Sequence, residues 1–97
     1  MRLKWTAPAL GDLEALRAYI EQYNPKAARA TVQRIRAAIK PLIKHPGLGR
    51  PGRVEGTREL VITGLPYIVA YRVKGQAVTI LRVLHAARRW PPEFQKD

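Results

Sequence analysis

The sequence has no cysteine, so no disulfide frames the fold and no thiolate can hold a metal. Acidic residues are scarce. Seven Asp and Glu face 18 Lys and Arg, which leaves a formal charge of +11 and a pI of about 11.0. No apolar run approaches the roughly 20 residues a bilayer span requires. The opening Met1-Arg-Leu-Lys-Trp-Thr-Ala-Pro8 lacks the apolar segment of a signal peptide. A cytoplasmic protein without membrane contact is expected, and internal repeats and low-complexity linkers are absent. A chain of 97 residues suits one domain, 1–97, burying roughly 60–65% of its unfolded surface. Its excess of positive charge points to an acidic partner: nucleic acid, an acidic protein, or a machine built of nucleic acid.

Apolar periodicity then orders the chain. Arg2 to Thr6 alternates as a short strand does. Thr6 caps the next segment and Pro8 is tolerated in a first helical turn. Leu13, Leu16, Ile20 and Tyr23 recur at steps of three and four, the stripe of an amphipathic helix. Asn24-Pro25 closes that helix and opens a second, whose stripe is Ala28, Val32, Ile35, Ile39 and Leu42. Pro41 removes a backbone donor and predicts a kink or an end. His45 to Thr57 is rich in Gly and Pro and reads as a loop. Arg58–Ile62, Tyr67–Val73 and Ala77–Leu84 read as strands. The order β-α-α-β-β-β predicts an α+β fold, an N-terminal strand and an antiparallel helical hairpin packed on a small twisted antiparallel sheet.

An even loop at Lys74–Gln76 would place Tyr67, Val69, Tyr71 and Val73 on one face with Val78, Ile80, Arg82 and Leu84. Ile68, Ala70 and Arg72 would share the other face with Thr79, Leu81, Val83 and His85. An odd loop would mix these sets. Both faces are largely apolar, and one hairpin covers only one of them. The second needs a tail or a partner protein over it.

Candidate chemistry gathers at the end of the last strand. His85 beside Arg88 and Arg89 offers an imidazole base, and Arg88, Arg58 or Arg53 offers a cation for phosphate, as a ribonuclease using a 2′-hydroxyl would need. The plainer reading is a half-buried strand-end histidine bonded to backbone. Arg88-Arg89-Trp90 joins cations to an aromatic plane, suited to phosphates and bases, unless Trp90 folds back to cap the core. Gly49-Arg-Pro-Gly-Arg-Val54 lacks the Gly-Lys-Ser/Thr ending of a nucleotide loop, so Arg50 and Arg53 read instead as a basic surface for a macromolecule. His45 is remote from His85 with no third ligand, which argues against a metal site, and nothing calls for a cofactor. Asp12, Glu14 and Glu21 read as solvated helix surface, while Glu55 and Glu59 flank the basic loop and could pair with it.

Seven segments in order resemble one family: Ala9-Leu-Gly-Asp-Leu13, Tyr19-Ile20, Asn24-Pro-Lys-Ala-Ala28, Gly49-Arg-Pro-Gly-Arg53, Gly56-Thr-Arg-Glu-Leu60, Tyr67-Ile-Val-Ala-Tyr-Arg72 and Ile80-Leu-Arg-Val-Leu-His85. Together they are similar to the ParE/RelE superfamily of toxins from type II toxin–antitoxin pairs. The resemblance implies a cognate acidic, ParD-like antitoxin in a hetero-oligomer, bound over the open face through Ile68, Ala70, Arg72, Leu81 and Val83. ParE-like members poison DNA gyrase; RelE-like members cut messenger RNA on the ribosome. The helix junction at Asn24 and the Gly-Arg-Pro loop look more like ParE. Where some RelE-like nucleases carry a catalytic arginine, this chain has Ile68. His85 and, more loosely, Arg88 match RelE-like catalytic positions. The ParE reading makes Arg50, Arg53, Arg58, Arg88, Arg89 and Trp90 a target-binding set. A basic nucleic-acid-binding module without toxicity is the third class, marked by salt-dependent binding to free DNA or RNA.

Overall fold

A computed structural model of the chain describes residues 1–95. Strand β1 (Arg2–Trp5) leads into helix α1 (Ala7–Glu21), helix α2 (Pro25–Ile39), and strands β2 (Arg50–Pro51), β3 (Arg58–Val61), β4 (Tyr67–Lys74) and β5 (Ala77–His85). Short 3₁₀ turns occupy Lys40–Ile43, Pro46–Leu48 and Pro92–Phe94. Both helices start where the side chains dictate. The Thr6 hydroxyl accepts from the Ala9 amide at 3.1 Å, and Asn24 Oδ1 accepts from the Ala27 amide at 3.0 Å. Pro41 lies in the 3₁₀ turn that ends α2.

The five strands run in the order β1-β5-β4-β3-β2. The sheet is mixed rather than wholly antiparallel, because β1 lies parallel to β5 with Trp5 opposite Ile80. The connection from β1 runs through both helices, long enough to bring a distant strand alongside in parallel. The Gly-Pro-rich segment contributes a two-residue edge strand, with Arg50 opposite Glu59.

The helical hairpin covers the face bearing Val69, Tyr71, Val78 and Ile80, against Leu13, Leu16, Ile35 and Ile39. Between β4 and β5 the loop is the even pair Gly75-Gln76, and Gly75 takes a φ of +58°, which glycine adopts without strain. Pairing follows the expected parity from Lys74–Ala77 to Tyr71–Ile80. Then a bulge shifts the register, and Ala70 meets Arg82. One unpaired residue, Leu81, reverses the faces beyond it. Val83 therefore belongs to the helix-side core, and Leu84 crosses to join Ile68. The face expected to be open is closed by the chain's own tail, since Trp90 and Phe94 pack on Ile68 and Leu84.

Candidate functional site

Strand β5 outruns its neighbour. With β1 finished at Trp5, the stretch from Leu81 to His85 has no strand partner on that side, and an open edge leaves backbone donors and acceptors unmet. Side chains from the start of α1 meet them. The Thr6 hydroxyl donates to the Leu81 carbonyl at 2.9 Å, and Asp12 Oδ2 accepts from the Val83 amide at 2.9 Å. Asp12 also takes the Arg82 guanidinium in two bonds, Nε to Oδ2 at 2.7 Å and Nη2 to Oδ1 at 2.8 Å. Glu93 approaches Arg82 at 3.5 Å. The bond from Asp12 holds the Arg82 pKa above its ordinary value.

Beside this edge a cleft of about 780 Å³ opens between α1, the ends of β4 and β5, and the tail. Asp12, Tyr19, Tyr67, Arg82, His85, Arg88, Arg89 and Trp90 are among its lining residues. A second cleft of about 440 Å³ lies across the tail, lined by Arg53, Arg88, Arg89, Trp90 and Gln95. The Ala87 amide donates to His85 Nδ1 at 3.1 Å, and the imidazole meets Tyr67 edge-on with ring centres 5.6 Å apart. Arg88 lies 5.7 Å over the Tyr19 ring. The Trp90 indole N–H donates to the His85 carbonyl at 3.1 Å, which folds the tail back onto the sheet. Arg53 rests on that indole, 3.4 Å from the ring centre.

Glu59 organises the basic loop. Its side chain is 4% exposed, and it accepts from the Arg53 amide at 2.9 Å and from Arg50 Nη2 at 3.1 Å, with Arg53 Nε at 3.4 Å. A carboxylate this buried is tolerable because cations and an amide meet it.

The structure brings together Arg53, His85, Arg88, Arg89 and Trp90. Arg50 and Arg58 line neither cleft. Arg50 serves Glu59, and Arg58 Nη1 donates to the Gly49 carbonyl at 2.7 Å. Trp90 is 4% exposed, so its role is to close the core rather than to offer a bare plane for a base. The five residues expected to meet the antitoxin do not share an open face. Ile68 and Ala70 are buried, Val83 faces the helices, Leu81 is half-buried at the bulge, and Arg72 is exposed. Asp12 is not the solvated surface group the sequence suggested. Arg82, Tyr19 and Gln95 were missed. A lone arginine in the apolar run Val78–Leu84 was the signal for a buried partner. Among the described residues, no group of three or more His, Asp or Glu could hold a metal ion, and no helix is long and apolar enough to cross a membrane.

Comparison with known proteins places this geometry. The family model described as the ParE toxin of the type II toxin-antitoxin system, parDE, matches residues 3–90. A protein of Sinorhizobium fredii named "Putative toxin Y4kP" is 47% identical over 90 residues, 93% of each chain. Toxin RelE2 of Caulobacter vibrioides is 42% identical over 87% of this chain and 93% of its own. A solved structure described as a chromosomal ParDE TA system from P. aeruginosa superposes with a TM-score of 0.81 at 38% identity, covering 88% of this chain and 95% of that one. The chain belongs to the ParE toxin family of type II toxin–antitoxin systems.

Proposed function

We propose that this toxin acts by binding DNA gyrase in the cytoplasm, as a single domain and without chemistry of its own, and that an acidic ParD-like antitoxin neutralises it. One observation carries the choice of binding over cleavage. A histidine whose Nδ1 accepts a backbone N–H has no lone pair left there, so the neutral ring carries its hydrogen on Nε2. His85 then presents a donor to the cleft and not a base. Arg82 is already committed to Asp12 and Glu93. What remains at the rim are Arg88 and Arg89, both exposed, suited to gripping an acidic surface. The net charge of +11 favours an acidic antitoxin. Of the expected antitoxin set, exposed Arg72 and half-buried Leu81 are within reach of such a partner without moving the tail.

A ribosome-dependent messenger RNA endonuclease is the second reading. Two relatives are named RelE2 and RelE3, and His85 and Arg88 line the same cleft. Loss of a general base typically costs 10²–10⁴-fold in rate. The test is His85→Gln beside the wild type, in gyrase supercoiling and in ribosome-bound message. Both proteins should inhibit supercoiling to within about threefold of each other, the range of a surface substitution, and leave message intact. Message cut at A-site codons by the wild type and spared by His85→Gln would install the second reading.

A further inference from the structure

The two clefts share Arg88, Arg89, Trp90 and Gln95, so they adjoin at the tail. We propose that together they form one groove for a single strand of DNA, its phosphates held by Arg53, Arg88 and Arg89. The inference deepens the gyrase reading above and rests on it for the choice of DNA over RNA. Charge comes first. Among the described residues neither Arg88 nor Arg89 has a carboxylate within 4 Å, and Arg53 shares Glu59 with Arg50, which leaves that cluster one positive charge in excess. Stacking comes second. Trp90 is capped by Arg53 at 3.4 Å and buried, whereas Tyr19 is 51% exposed at the larger cleft, with Arg88 more loosely over one face of its ring at 5.7 Å and Tyr23 edge-on to it at 5.6 Å. A positively charged groove with a solvent-exposed aromatic ring is the usual platform for single strands. Each cleft falls within roughly 300–1,000 Å³, the range that takes a nucleotide-sized group. Two clefts side by side, each large enough for a nucleotide, suit a strand better than a lone nucleotide.

The test is fluorescence anisotropy with a short labelled oligothymidine between about 50 and 200 mM salt. Three phosphate contacts on a single strand give a log–log salt slope of about −2. Arg89→Gln, exposed and outside the hydrogen bonds among the described residues, should lower that slope by about 0.7 and weaken binding about three- to tenfold. Tyr19→Ala should weaken it by about fivefold or more. Arg29→Gln on α2 should change neither. Equal losses from Arg29→Gln and Arg89→Gln would reduce the groove to diffuse surface charge and overturn it. Displacement by inorganic phosphate at matched ionic strength, or an oligouridine bound about tenfold tighter, would overturn the DNA strand as ligand. Supercoiling measured on the same proteins separates the two readings. Inhibition without Arg89-dependent DNA binding removes the groove alone, and Arg89-dependent binding without inhibition removes the gyrase reading alone.

Discussion

Asp12 is the residue whose loss the structure prices most clearly. Its carboxylate accepts three hydrogen bonds where β5 runs past the end of β1 and has no strand on that side, two from Arg82 and one from the Val83 amide. The side chains of Asp12 and Arg82 are 17% and 20% exposed, so solvent screens the pair only in part. In Asp12→Ala the Val83 amide loses its acceptor beside the core, at about 1–3 kcal/mol, and among the described residues Arg82 keeps only Glu93 at 3.5 Å. A total of about 2–3 kcal/mol follows, against the roughly 5–15 kcal/mol that holds a domain this size. The thermal midpoint should fall by about 8–24 °C. Asp12→Asn separates the two contributions. Its carboxamide oxygen at the Oδ2 position still accepts from Val83 N–H and Arg82 Nε, while its NH₂ faces Arg82 Nη2. It should lose about half as much. Urea unfolding followed by far-UV circular dichroism measures both variants, with an unchanged m-value as the check that the denatured state is the same. An Asp12→Ala midpoint within error of the wild type, or equal losses from Asn and Ala, would refute the account of the edge.

Gly49→Ala should cost about 1–3 kcal/mol in the same assay, because a Cβ there would stand 2.7 Å from the buried Tyr71 ring and 2.9 Å from the Glu59 carbonyl. That ring cannot yield, since its hydroxyl donates to the Pro46 carbonyl at 2.7 Å and accepts from the Gly49 amide at 2.8 Å. Trp90→Ala should cost about 3 kcal/mol and raise binding of an apolar dye, because Ile68 and Leu84 lose their cover. An unchanged midpoint would mean that the tail does not hold that face.

Local chemistry made the order of elements legible. Thr6, Asn24-Pro25 and Pro41 punctuate the helices by rules that act within a few residues. The parallel placement of β1 beside β5 is set by packing between segments far apart in the chain, which no local pattern carries. The bulge at Leu81 inserts one residue, and with a period of two that misassigned Val83 and Leu84. The two glutamates beside the basic loop illustrate the same limit. Glu55 and Glu59 were equivalent neighbours of the basic loop, yet among the described residues only Glu59 meets its arginines. The candidate site was legible as a basic, aromatic strand end. Asp12 and Arg82, 70 residues apart, were not.

Glu59 offers a way to tell placement from charge. The buried carboxylate fixes Arg53, Arg53 rests on Trp90, and Trp90 is bonded to His85. Loop and tail are thus fastened through one acid. Glu59→Gln raises the net charge from 18 − 7 = +11 to 18 − 6 = +12. Diffuse electrostatics therefore predicts tighter binding to a single strand. Placement predicts the reverse, because an uncharged amide holds Arg50 and Arg53 less firmly and the smaller cleft loses its fixed wall. Glu55→Gln adds the same charge in the adjoining loop, at an exposed carboxylate without an ion pair among the described residues. Oligothymidine should bind Glu59→Gln about threefold more weakly than the wild type and Glu55→Gln at least as tightly, the difference a partly lost charge-assisted bond makes. Tighter binding by both would show that the arginines act as charge alone, wherever Glu59 holds them.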